Sequence, residues 1–349
     1  MRPALVTALP GILLQMARQR PVLTSINVTN RCTERCPMCS VWQTPLPELD
    51  TAKLSAAFAE LRRFGVRIVE ISGGEPFLRS DLAELLAALD RVGLLSTLTT
   101  NATVAPGPLL TALASTRGLL QLAVSLDSLD RERYALLRGC DLLPEVLANL
   151  EILRAARLPA PLKLNVTVSR VNYREVPELL RFAAERGLFL SAFPVNVGEG
   201  FHHRHISSLF SATDYERREM AALFRDLARR RREGEPLWEY SGFYELAAAY
   251  LEGLNPGPCG AGRLYLDIRA DGGVAPCVDL PVVGRIGEEP LEQIWLRMQK
   301  ECACRINQCR QETPCCYTCT YNVQLTSRNR TGFLLETLRT LMKRRCVDI

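Results

Sequence analysis

The chain has 349 residues, 47% hydrophobic and 23% charged, with 43 basic and 38 acidic side chains and a net charge of +5. That composition excludes a largely disordered chain. No uninterrupted apolar run approaches the roughly 20 residues a spanning helix needs, and the charge is too mild and dispersed to argue for nucleic acid as a partner.

Residues 4–17 are mostly apolar and follow Arg2, as in a signal peptide. Pro10 interrupts the run, however, and Arg18, Gln19 and Arg20 stand where small residues should precede a cleavage site. Residues 1–20 therefore read as an amphipathic helix packed on the domain, with a membrane surface as the alternative seat. From 21 to 205, short β-branched runs alternate with helical patterns. Strands are expected over 24–30, 67–72, 94–100, 120–126, 163–169 and 188–195, and helices over 52–64, 81–92, 143–156 and 176–186. The alternation predicts an α/β fold with a parallel sheet and right-handed crossovers. Six units fit a partial (β/α)6 TIM-type barrel better than a complete eight-unit one.

In such sheets the working residues sit where the strands end. The first strand is followed by Cys32-Thr-Glu-Arg-Cys36-Pro-Met-Cys39 and the second by Gly73-Gly74-Glu75-Pro76. The third leads to Asn101, and the fourth carries Ser125 and ends at Asp127. Thr167 and Ser169 lie on the fifth, and Asn196, Gly198, Glu199 and His202 follow the sixth.

Beyond this region, 206–255 reads as a charged helical linker and 256–349 as a small cysteine-rich α+β module. The module has short strands over 263–268 and 273–276, a hairpin turn at Asp271-Gly272-Gly273 and a helix around 291–298.

Three of the 13 cysteines lie near the N-terminus and nine between 259 and 346, with Cys140 alone between the groups. A disulfide scaffold is normally short and evenly studded; clustered thiols in a long chain read as metal ligands. Three thiolates in the Cys32–Cys39 loop can wrap one face of an iron–sulfur cube, which is normally held by four. One iron would then lack a protein ligand and stay open to chemistry. The alternative is a structural zinc loop, though zinc knuckles usually pair cysteines two apart with a second pair.

Together, CTERCPMC after the first strand, SGGEP after the second, TNA after the third and SLD after the fourth resemble the radical S-adenosylmethionine (SAM) superfamily over roughly residues 20 to 200. The resemblance implies a 4Fe-4S cluster on Cys32, Cys36 and Cys39, with SAM chelating the open iron. One electron would cleave SAM to a 5′-deoxyadenosyl radical that abstracts hydrogen from a substrate. It also implies an external electron donor such as a flavodoxin or ferredoxin. Gly73 and Gly74 would let the backbone approach the methionyl part of SAM, Glu75 would accept from its ammonium group, and Pro76 would fix the turn exit. Asn101 and Ser125 would line the SAM pocket, with Asp127 a weaker candidate. Arg138 would hold the SAM carboxylate or else be an exposed helix-end charge. Met38 replaces the usual aromatic beside the last cysteine.

The C-terminal third resembles the SPASM/twitch extension of these enzymes, through Cys259, Gly272 and Cys277 and then Cys309, Cys315 and Cys319. The resemblance implies one or two auxiliary iron–sulfur clusters. One would use Cys259, Cys277 and Cys319; the other would use Cys304, Cys309, Cys315 and Cys346. Cys316 could pair with Cys319 instead, and a zinc ribbon is the alternative for the whole module. His202, His203 and His205 are candidate substrate or metal contacts, or a solvent-facing loop.

The expectation is an enzyme acting on a small-molecule, lipid or peptide substrate. Its rivals are a peptide maturase of the SPASM type and a non-catalytic zinc or iron–sulfur protein. Exposed iron–sulfur clusters and SAM, as the resemblance implies them, point to a reducing cytoplasm.

Overall fold

The computed structural model describes residues 3–196, 208–255, 257, 259–302, 306, 309 and 315–345. After helix α1 (Pro3–Ala17) come strand β1 (Leu23–Thr29), α2 (Thr51–Phe64), β2 (Ile68–Gly73), α3 (Leu82–Val92), β3 (Leu95–Thr100), α4 (Leu110–Ser115) and β4 (Leu119–Ser125). Then follow α5 (Arg131–Arg138), α6 (Leu143–Ala155), β5 (Leu162–Val168), α7 (Val176–Glu185), β6 (Phe189–Pro194), α8 (Asp214–Arg232) and α9 (Ser241–Leu251). The C-terminal part holds β7 (Tyr265–Ile268), β8 (Gly273–Ala275), β9 (Gly284–Arg285), α10 (Leu291–Glu301), α11 (Thr318–Arg328) and α12 (Arg330–Arg345). Caps set several helix bounds. Asp50 accepts from the Lys53 N–H to start α2, and Gly65, at φ 116°, ends it.

The six expected strands form a parallel, unclosed sheet in the order β6-β5-β4-β3-β2-β1, a partial barrel. The C-terminal strands continue this sheet: β7 pairs parallel with β1, and β8 and β9 add antiparallel beyond it. The expected 206–255 helical stretch is two helices, broken where Leu237 bridges to Leu190 on β6. The sequence patterns also pass over α5, a short charged helix.

The two faces of the sheet differ. Ile26, Val28, Val69, Ile71, Leu98, Leu122, Val124, Leu164 and Val166 point outward and pack under the helices against Phe58, Leu61, Leu85, Leu150 and Leu179. Each such side chain contributes roughly 1.5–3 kcal/mol of burial. The inward positions form layers across the strands. The bottom layer is apolar: Tyr265, Leu23, Ile68 and Leu95 share one register, and Ile12 and Met16 of α1 pack against them. The next layer is polar: Asp267, Ser25, Glu70, Thr97 and Gln121. Barrel interiors are usually filled by branched apolar side chains. Here burial alternates along β2, β3 and β5, with the inward residues Glu70, Ser72, Thr97, Thr99, Asn165 and Thr167 keeping open surface. The barrel therefore encloses a polar lumen, stoppered below by α1.

Candidate functional site

A cleft of about 260 Å³ opens over the C-terminal strand ends. Its walls include Cys32, Cys36 and Cys39, Gly73 and Gly74, and Asn101, Ser125 and Arg138. The polar residues Ser72, Thr99 and Thr167 belong to it as well. The C-terminal part closes one side with Cys316, Tyr317 and Thr318.

The two glycines are required by the cysteine loop itself. The Gly74 N–H donates to Thr29 O at 2.7 Å and the Glu75 N–H to Arg31 O at 2.8 Å, so β2 runs on into pairing with the root of the loop. A Cβ on Gly73, at φ 132°, would stand 2.2 Å from Thr29 O, and one on Gly74 2.1 Å from Arg31 O. Glu75 and Pro76 lie behind this turn, buried. Glu75 Oε1 accepts from the Phe77 N–H at 2.9 Å and the Thr100 hydroxyl at 2.7 Å; Oε2 accepts from the Asn101 N–H at 2.6 Å. Glu75 thus ties the ends of β2 and β3 together. Burial pushes its carboxyl up to about 7 against those three donors.

Asn101 turns its amide toward the loop, with Nδ2 3.0 Å from Thr33 Oγ1 and 3.6 Å from Cys32 Sγ. On the other side of the loop lies Glu34, which the sequence patterns did not single out. It accepts from Tyr134 Oη at 2.6 Å, from Arg138 Nη1 at 3.3 Å and from the Cys36 thiol at 3.5 Å. Arg138 also sets Nε 2.9 Å from Asp127 Oδ2. It is therefore no exposed helix-end charge: it is 7% exposed and held between two buried carboxylates. The Arg35 N–H donates to Arg138 O at 3.0 Å, and Gly139 behind it leaves room for Arg35 O. No local pattern joins residues 34 and 138.

Burial pushes the Cys32 thiol up to about 11 and raises those of Cys36 and Cys39 too. Opposing this at Cys39, the Val41 and Trp42 N–H groups donate to the sulfur. Donors aimed at buried sulfurs beside an open cleft suit an iron–sulfur cluster, whose charge such hydrogen bonds stabilise. Among the described residues no three His, Cys, Asp or Glu side chains gather tightly enough for a single metal ion. A four-iron cube is wider than one ion and takes its thiolates further apart.

In the C-terminal part, Cys259 and Cys315 are near enough to act on the charge of Cys277, Cys309 acts on Cys315, and Cys259 acts on Cys319. The Ala261 N–H donates to Cys259 Sγ at 3.4 Å and the Asp279 N–H to Cys277 Sγ at 3.5 Å. Cys316 is placed differently. It is fully buried on the cleft wall, and its N–H donates to Asn196 Oδ1 at 2.7 Å. Cys304, Cys346, His202, His203, His205, Gly198 and Glu199 lie outside the described residues.

The fold and site define a partial-barrel protein with a three-thiol loop at its first strand end and a second thiol group beside it. Residues 26–183 match the radical SAM superfamily and residues 259–321 match SPASM, an iron–sulfur cluster-binding domain. The chain belongs to the radical SAM superfamily and carries a SPASM domain, which together bring a 4Fe-4S cluster and auxiliary iron–sulfur ligation. It is 37% identical over 174 residues to a GTP 3′,8-cyclase of Ectopseudomonas mendocina, covering 48% of this chain and 51% of that one. The chain spans about half the length of the GTP 3′,8-cyclases it matches. It is 27% identical over 288 residues to the PqqA peptide cyclase of Gluconobacter oxydans, covering 79% of this chain and 76% of that one. In fold it is similar to Streptococcus suis SuiB bound to S-adenosylmethionine, with TM-score 0.64 and 18% identity over 79% of this chain and 66% of SuiB. Among the described residues no helix is long and apolar enough to cross a membrane.

Proposed function

We propose that the chain is a radical SAM enzyme that abstracts hydrogen from a polar substrate, with a peptide side chain as the foremost class. When bound, the cluster and SAM would supply a 5′-deoxyadenosyl radical for that abstraction. Cys32, Cys36 and Cys39 would hold the cluster, and Gly73, Gly74, Asn101, Ser125 and Arg138 would line the SAM pocket. Glu75 and Pro76 would act from behind, by fixing the turn. Cys259, Cys277, Cys315 and Cys319, with Cys309 and Cys304, would serve the auxiliary ligation, while Cys316 would form part of the cleft wall. An external flavodoxin or ferredoxin would deliver the electron, in a reducing cytoplasm.

The observation that carries this reading is the three-thiol loop opening onto a cleft directly above a polar lumen. Such a lumen suits a substrate with hydrogen-bonding groups and disfavours an acyl chain. The α1 stopper would keep bulk water from the radical. The peptide class is supported by the alignment with the PqqA peptide cyclase over most of both chains. The test is anaerobic incubation with SAM, a reductant and peptides deuterated at candidate positions. Deuterium appearing in 5′-deoxyadenosine is expected; 5′-deoxyadenosine that stays unlabelled with every peptide removes the peptide class.

A further inference from the structure

The polar layer of the lumen carries two buried carboxyls, Glu70 and Asp267, which feel Lys163, Arg269 and the Cys319 thiol without an ion pair among the described residues. Glu70 of β2 and Asp267 of β7 flank Ser25 in one register row, with Thr97 and Gln121 continuing it. Lys163 of β5 also faces this space, and Glu239 follows the edge segment beside β6. The Lys163 ammonium feels Glu239 before Glu70 and stands 5.2 Å from the Trp238 ring centroid. Glu239 is itself satisfied, by Ser191 at 2.5 Å and Tyr244 at 2.9 Å. Glu70 and Asp267 form no ion pair among the described residues; Ser25 hydrogen-bonds Glu70, and Tyr265 Oη is 3.4 Å from Asp267 Oδ1. Arg269 acts on Asp267 through its field, with Nη2 donating to Leu280 O at 3.0 Å.

The orphaned atoms agree with the charges. Asp267 Oδ2, Gln121 Oε1, Asn165 Oδ1 and Asn27 Nδ2 have no hydrogen-bond partner among the described residues. Asp267, Gln121 and Asn27 are 0%, 8% and 3% exposed. The two that belong to the layer itself, Asp267 Oδ2 and Gln121 Oε1, are both acceptors, while Asn27 and Asn165 lie in the rows nearer the cleft. A buried acceptor without a partner costs about 1–3 kcal/mol, more when charged. Glu70, though walled by protein, keeps open surface, so the space beside it is not filled. Two residues further along β2, Ser72 lines the cleft, which puts the polar layer about 7 Å below it at ~3.3 Å per residue.

We propose that this layer is the specificity site of the proposed reaction and takes the cationic, donor-rich end of the substrate, an ammonium or guanidinium group, between Glu70 and Asp267. The inference rests on the proposed enzymatic reading and deepens it by naming the substrate's charge. An amine held there would leave the carbons nearer the cleft exposed to abstraction. A neutral or anionic end would leave both buried carboxyls without a cation in contact.

The test uses the anaerobically reconstituted protein with SAM and a matched pair of probes, 1,4-diaminobutane and 1,4-butanediol, titrated by calorimetry. The diamine is expected to bind at least about tenfold more tightly than the diol, as a charge-assisted hydrogen bond outweighs a neutral one. Glu70→Gln and Asp267→Asn are each expected to erase that preference while the protein melts no lower, because an uncompensated buried charge has been removed. Equal binding of the two probes, or saturable binding of neither, overturns the proposal. So does a Glu70→Gln protein that melts lower and keeps the preference, since Glu70 would then serve only to pair Lys163. Production of 5′-deoxyadenosine without added amine is read separately. Its loss would count against the enzymatic reading, whereas loss of the amine preference alone counts against this site.

Discussion

Gly74→Ala probes the link between the second strand and the cysteine loop. The new Cβ would stand 2.1 Å from Arg31 O, about 1.3 Å inside the 3.4 Å at which ordinary contact begins. The obstructing atom is backbone, so no side chain can swing aside. The loop root must move, and the hydrogen bonds of 2.7 Å and 2.8 Å from Gly74 and Glu75 lie in its path. Overpacking of about 1–3 kcal/mol plus about 1 kcal/mol for a strained tether gives a loss of roughly 2–4 kcal/mol. Gly107→Ala is the control, because a Cβ there meets nothing within 4 Å; its effect should stay within about 0.5 kcal/mol. Urea unfolding of the cluster-free proteins gives both values, and iron per chain after anaerobic reconstitution reports on the loop. Gly74→Ala should fall well below wild type in both, and Gly107→Ala in neither. If Gly74→Ala matches the control in stability and iron, the loop does not depend on this tether.

Arg138→Met should destabilise the chain by about 3–5 kcal/mol, because it strands Asp127 and Glu34 in the interior; adding Asp127→Asn and Glu34→Gln should recover part of the loss in the same unfolding assay. The Glu75 carboxyl lies above its ordinary range when folded, so its share of stability is present at low pH and lost as pH rises through about 7. Glu75→Gln should therefore flatten the stability profile between about pH 4.5 and 7, read from urea midpoints across pH. Cys315→Ala should lower auxiliary iron, whereas Cys316→Ala should retain it and disturb the SAM cleft instead, as read by iron analysis and SAM titration.

What was legible in the sequence is what lies close along the chain. The cysteine loop, Gly73-Gly74 and Asn101 announce themselves by spacing after β-branched runs, and the structure gathers them at one cleft. Glu34 and Arg138 meet only because α5 brings its C-terminal end back to the loop, a contact across 104 positions. The four-residue strand β7 reads as half of a hairpin, since the sequence carries no sign of the β1 edge it joins. The polar lumen did leave a trace in the alternation of LNVTV on β5 and VEIS on β2. The strands themselves stand out by their β-branched residues, which do not report the polarity of the inward face. Glu75 shows the reverse case: its motif invites a ligand contact, while its carboxylate is consumed by three donors of its own chain.

The central claim is that Cys32, Cys36 and Cys39 hold an open cluster that cleaves SAM. Its most direct test is 5′-deoxyadenosine formation by anaerobically reconstituted protein given SAM and a low-potential reductant, with Cys36→Ala alongside. The account predicts 5′-deoxyadenosine from wild type and none from Cys36→Ala, with iron lost in proportion to one cluster. A wild-type protein that makes none when iron-loaded and reduced, or that carries zinc at the loop, would contradict it.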